Sequence, residues 1–118
     1  MRKLSLLAIL LLPLPAWAVD CFVSEYSFIT MMQDGQRAQA VLEPALAVQK
    51  VTFTTTSTQS AVFNAATRVI RVVCTAKAHF EISTNPTSTT ADSYVAPDTA
   101  EYFGIQNTGL RISFKDES

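Results

Sequence analysis

The sequence predicts an all-β protein, an antiparallel β-sandwich (jelly-roll or Ig-like) of about seven to eight short strands, preceded by an N-terminal signal-like segment. Three observations predict it. After Val19 no long stretch sustains a helical apolar period, while many short runs alternate with period two. Turn-forming clusters separate those runs, at Asp34-Gly35, Asn85-Pro86, Pro97-Asp98 and Asn107-Thr108-Gly109. At 48 % apolar and 16 % charged, the chain is rich enough in apolar residues to build a core and too weakly charged to stay disordered. Its 118 residues allow one such domain.

Residues 1–18 differ from the rest. Met1-Arg2-Lys3 is a positive start, Leu4 to Leu14 is an apolar run interrupted only by Ser5 and Pro13, and Ala16-Trp17-Ala18 follows. Charge, apolar run and A-x-A in that order form a secretory signal peptide and predict cleavage between Ala18 and Val19. A membrane anchor fits less well, because the run falls short of the roughly 20 residues a bilayer span needs and Pro13 and Pro15 break it. A lipoprotein signal ending at Cys21 fits poorly too, because Asp20 stands where a small residue belongs. The division is therefore 1–18 as the signal-like segment and 19–118 as a single β-sandwich domain. In an exported chain Cys21 and Cys74 have one pairing open to them, and closing that loop would add about 4 kcal/mol in the chain-entropy model. The alternative is two buried free thiols acting as small apolar residues.

Within the domain, Cys21 to Thr30 is aromatic and β-branched, with Phe22, Tyr26 and Phe28 on one side. Gln36 to Gln49 has the best helical spacing, but Pro44 interrupts it, so it reads as irregular with one helical turn at most. Val48 to Thr56 sets Val51 and Phe53 against Lys50, Thr52 and Thr54. Thr67 to Thr75 is nearly continuous in Val69, Ile70, Val72 and Val73, as a strand covered on both faces would be. Lys77 to Ser83 alternates Ala78, Phe80 and Ile82 inward with Lys77, His79 and Glu81 outward. Thr84 to Thr90 is polar and reads as a surface loop, and Ser93 to Val95, Glu101 to Ile105 and Leu110 to Phe114 complete the strands.

The candidate chemistry is sparse. His79 is the only imidazole, so any Ser-His or Cys-His mechanism would need it, and on the outward face it reads as a solvated side chain. The carboxylates are scattered, and Asp116-Glu117 reads as a frayed tail. Arg68 and Arg71 could hold an anion but more often would make a surface ion pair. Three glycines, at 35, 104 and 109, cannot form a phosphate loop. Two cysteines cannot build a zinc site alone. With 9 Lys+Arg against 10 Asp+Glu, nucleic acid is not an expected partner, and neither is stable membrane insertion of the mature chain. The expectation is a protein that is not an enzyme, with no catalytic, cofactor-binding or metal residues and no cofactor.

The blocks Phe22-Val23-Ser24-Glu25-Tyr26, Glu43-Pro44-Ala45, Gln59 to Arg68, Asn85 to Ala91 and Glu101-Tyr102-Phe103-Gly104-Ile105 follow one another in an order that resembles a family of small proteins, about a hundred residues long, encoded in the structural gene blocks of tailed bacteriophages and prophages. The resemblance spans roughly Phe22 to Phe114. It implies a compact β-fold and a virion role as a minor capsid or decoration component, with phage capsid or other virion proteins, and the chain itself as a homo-oligomer, for partners. It brings no catalytic residues, and the interface residues stay unassigned. The blocks also have folding reasons. Phe63 reads as an anchor, Asn64 as a residue bonding its own backbone in a turn, and Tyr102-Phe103-Gly104 as core side chains beside a flexible position. The signal-like segment departs from that family, so the alternative is an exported periplasmic or extracellular β-sandwich binding module, or a small inhibitor presenting Thr84 to Ala91.

Overall fold

Alternation along each strand decides which side chains meet in the interior. The computed structural model describes residues 18–27, 29–31, 37–41 and 43–117, and these contain strands and no helix. The strands are β1 (Val19–Tyr26), β2 (Ile29–Met31), β3 (Arg37–Val41), β4 (Ala47–Phe53), β5 (Thr58–Gln59), β6 (Val69–Cys74), β7 (Ala78–Ser83), β8 (Tyr94–Val95), β9 (Glu101–Gly104) and β10 (Arg111–Lys115). They form two four-stranded antiparallel sheets, β4-β1-β6-β9 and β5-β10-β7-β8, and a separate ribbon of β2 and β3. Residues 1–17, which carry nearly all of the signal-like segment, lie outside the described residues, as do Phe28 and Asp34-Gly35. Ala18 is exposed, and Val19 opens β1 as a buried residue paired with Phe53.

The sheets face each other across one core. Cys21, Val23, Val51, Phe53, Ile70, Val72 and Cys74 come from the first sheet, and Ala78, Val95, Ile112 and Phe114 from the second. Phe53 stacks on Phe114 with ring centroids 5.5 Å apart, and Phe80 meets Phe103 at 4.8 Å. Val51 and Phe53 on β4 and Ile112 and Phe114 on β10 lie inward as their alternation requires. On β1 the inward side is Val19, Cys21, Val23 and Glu25, so Phe22 stands on the outside, 41 % exposed.

The pairing is nested. β7 pairs with β8, β6 with β9 and β5 with β10, as though one long hairpin with its tip between Ser83 and Tyr94 had been rolled over on itself. β1 and β4 close the arrangement. Their outer ends converge with the last strand, since the Asp116 amide donates to the Thr54 carbonyl at 3.0 Å, one residue beyond the Phe53 partner of Val19.

The Cys21–Cys74 disulfide joins neighbouring strands of the first sheet. Its geometry follows from the register. Asp20 and Thr75 bond to each other, the Thr75 amide to the Asp20 carbonyl at 2.9 Å and the Asp20 amide to Thr75 Oγ1 at 3.2 Å. The next pair, Cys21 and Cys74, is therefore of the closer, non-hydrogen-bonded kind, with Cα atoms 4.1 Å apart.

Several expectations need correction. Gln36 to Gln49 holds no helical turn among its described residues; β3 and the start of β4 occupy it, with a cis Glu43–Pro44 peptide between them. Of the Tyr102-Phe103-Gly104 block only Phe103 packs on the core, half-buried; Tyr102 is exposed and Gly104 has open space around it. Its strand lies at the sheet edge, paired with β6 on one side only. The turn at Asn107-Thr108-Gly109 is present, with Gly109 at φ 78°, a conformation glycine adopts without strain.

Candidate interaction surface

Most of the residues singled out for chemistry have a structural occupation. His79 is buried, not solvated as expected on the outward face. Its ring lies edge-on to Tyr94, its cross-strand partner on β8, and Nδ1 lies 2.9 Å from the Asp92 carbonyl, to which it donates. Nε2 has no protein partner among the described residues. The tail is pinned rather than frayed. Glu117 accepts from Lys77 Nζ at 2.6 Å, which holds its carboxyl below the usual carboxylate range and raises the Lys77 ammonium. Lys77 Nζ also sits 4.1 Å from the Tyr94 ring centroid. Arg68 donates to the carbonyls of Ala65 and Thr67, and among the described residues neither Arg68 nor Arg71 makes an ion pair.

One carboxylate stands apart. Glu25 is 1 % exposed on the inner face of the first sheet, near the end of β1. Oε1 accepts from the Asn64 amide at 2.6 Å and from Thr67 Oγ1 at 2.9 Å, and Oε2 accepts from Gln49 Nε2 at 3.0 Å. Gln49 in turn accepts from the Ala61 amide at 2.8 Å. The connection from Ser60 to Arg68 is thus tied to a buried anion at several points. Within it Phe63 is buried, and Asn64 Oδ1 accepts from the Ala66 amide at 2.9 Å, the anchor and turn expected of that block. Pattern reading passed over Glu25, although a carboxylate on the same side of β1 as Cys21 and Val23 was the available signal.

The outer faces of the two sheets differ. The second sheet is covered by its own chain. The connection after β7 lies over it, with Pro86 and Ser88 buried and Ser88 Oγ 2.5 Å from Ser113 Oγ. The Ser88 amide donates to Ser57 Oγ at 2.9 Å, the Thr87 amide to Glu81 Oε2 at 3.0 Å, and Gln59 Nε2 to Asn85 Oδ1 at 2.8 Å. Thr84 to Thr90 is thus a strap held against the sheet rather than a protruding loop, and it buries Ser113 on the face where alternation predicted exposure.

The first sheet carries no such strap among the described residues. Register sets Val48, Ser24, Arg71 and Tyr102 in one row and Lys50, Phe22 and Val73 in the next. Val48 is 64 % exposed and Tyr102 49 %, with Phe22 and Leu46 close behind. The Lys50–Asp20 ion pair, at 3.7 Å, lies on the same face. The exposed apolar side chains of this face are thus interrupted, by Ser24 and Arg71 between Val48 and Tyr102 and by Lys50 beside Phe22.

No family model, curated protein or solved structure matches this chain. Its reading rests on its own residues. Among the described ones no group of His, Cys, Asp and Glu could hold a metal ion, and no helix is long and apolar enough to cross a membrane.

Proposed function

We propose that the protein is a non-enzymatic structural module of a tailed-phage virion, a minor capsid or decoration component that attaches to the larger particle. The observation that carries this reading is the nested strand order. Sheets ordered β4-β1-β6-β9 and β5-β10-β7-β8 follow the jelly-roll order, with β1 standing where the last strand of a jelly roll would be, and jelly rolls recur in viral capsid and lectin domains. The outer face of the first sheet, with Phe22, Val48 and Tyr102 exposed on it, supplies a face for attachment. The occupations of His79 and Glu25 in holding the fold support a non-catalytic role. Mass spectrometry of purified particles tests it: the chain should copurify with the particle at a fixed ratio, and its absence from particles overturns the reading.

A second reading is favoured by one specific observation, the Cys21–Cys74 bond. Disulfides persist in oxidising compartments, so the bond supports an exported periplasmic or extracellular β-sandwich binding module released by cleavage between Ala18 and Val19. Intact mass with and without reductant separates the two readings. A chain beginning at Val19 with a bonded cysteine pair in the periplasm favours export, and a chain retaining Met1 with two alkylatable thiols opposes it.

A further inference from the structure

We infer that Arg71 anchors this protein to its partner, its guanidinium gripping the carboxylate of an aspartate or glutamate on the surface of the protein to which it attaches. The inference rests on the attachment role proposed above and adds the chemistry of the contact. Among the described residues every other Lys and Arg is engaged. Lys50 and Lys77 hold ion pairs, and Arg68, Arg111 and Lys115 donate hydrogen bonds. Arg71 alone makes no hydrogen bond, ion pair or cation–π contact with them. The Tyr26 phenol feels its charge, but a phenol is neutral near pH 7 and offsets none of it. The fold makes no use of a cation there, since β6 is otherwise Val69, Ile70, Val72, Val73 and Cys74.

The position is that of an anchor. β6 lies between β1 and β9, so Arg71 stands half-buried inside the first sheet and not at its edge. Ser24 is its partner on β1 and Tyr102 its partner on β9. The Ile105 amide donates to the Arg68 carbonyl at 2.7 Å, and alternation along the register makes Arg71 and Tyr102 a pair of the closer, non-hydrogen-bonded kind. Val48 lies in the same row and Phe22 in the next, both exposed. Arginine and tyrosine side by side near the middle of a face have the composition and placement of a binding hot spot. The apolar neighbours would keep water from the ion pair once a partner is seated. The polar break in this face is thus its point of attachment.

The occupant follows from the charge. A guanidinium presents a planar fork of N–H donors that a carboxylate meets with two parallel hydrogen bonds. Nucleic acid would need several free cations for successive phosphates, and Lys50, the other cation in these rows, is already tied to Asp20. A single unengaged cation among exposed apolar side chains fits a single carboxylate on a protein surface.

The test uses the full chain, native or variant, expressed during particle assembly and measured on purified particles. Arg71→Ala should keep the native circular dichroism and urea midpoint and bind particles roughly thirtyfold more weakly, the loss expected of a hot-spot residue. Arg71→Lys should retain part of the binding. It also places an amine at this position, which a water-soluble carbodiimide should join to an aspartate or glutamate of a particle protein, identified by peptide mass against the native chain treated alike. If Arg71→Ala fails to fold, that cross-link decides. Native-level binding by Arg71→Ala overturns the inference and leaves the attachment role standing. So does an Arg71→Lys chain that stays on particles without a cross-link from position 71, or one cross-linked there only to a second copy of itself. Absence of the native chain from particles overturns the attachment role, and the inference with it.

Discussion

Glu25 is the residue that ties β1 to β4 and to the connection leading into β6. A buried carboxylate with three donors is stabilising only while all three remain paired. Glu25→Ala would leave the Asn64 amide, Thr67 hydroxyl and Gln49 amide without their acceptor, and is expected to cost roughly 3 kcal/mol, read as a lower urea midpoint at unchanged slope. Glu25→Gln should cost less, about 1–2 kcal/mol, since one acceptor oxygen survives while the new amide opposes Gln49 Nε2. Tyr26 offers a pH test. Burial, and then the hydrogen bond its hydroxyl donates to Glu43 Oε1 at 2.8 Å, push its phenol above the ordinary tyrosine range. The neutral phenol is therefore the form that folding favours. Its contribution is complete below the unfolded value of about 10 and is lost as pH rises through the higher folded value. Tyr26→Phe should cost about 1 kcal/mol near neutrality and remove one late-titrating phenol from the tyrosinate absorbance curve.

At the scale of elements, the strap over the second sheet explains both what the sequence made legible and what it hid. β10 could be read directly, because Leu110, Ile112 and Phe114 alternate with Arg111 and Ser113. The burial of Ser113 could not, because its cover comes from Ser88, far away in sequence. His79 was hidden the same way: nothing on β7 signals that Tyr94 and Asp92 close over it. β3 is hard to read because Ala38 and Ala40, on either side of Gln39, favour neither period, and two-residue β5 is submerged in a run of Thr and Ser. On β1 the aromatic residues drew attention to the wrong side, since Cys21 and Val23 are the ones turned inward. The strap itself gives a prediction. Ser88→Ala leaves Ser113 Oγ buried without its partner and should destabilise by about 1–2 kcal/mol. Hydrogen exchange should then quicken at the Thr87 and Ser88 amides, while β1 and β6 keep their protection.

Across the whole molecule, the placement of the first and last strands is the informative feature. Val19 and Asp116 both bond at the Phe53–Thr54 end of β4, so a short linker from Glu117 to Val19 would complete the missing crossover of the roll. A permuted chain so joined, with new ends opened at the exposed Asn107-Thr108-Gly109 turn, should keep the fold and the Cys21–Cys74 bond. It should lose no more than about 1–2 kcal/mol, because loop closure depends weakly on loop length. A permuted chain that fails to fold would mean that the order of strand addition, and not the finished architecture, governs folding. The fold class and most strands were legible because alternation is local. The strand order was not, since partners such as β5 and β10 are brought together only by the rolled topology.

The disulfide between adjacent strands also sets how the molecule would bear mechanical load. Tension entering at the N-terminal end of β1 reaches Cys21 within three residues and crosses to Cys74 on β6. Everything between those two cysteines, the ribbon, β4, β5 and the Glu25-tied connection included, lies off the force path. Among the described residues, a chain held at its two ends would therefore lengthen by peeling β7 to β10, leaving β1, β4 and β5 and the outward Phe22 and Val48 in place while β9 leaves the first sheet and β7, β8 and β10 leave the second.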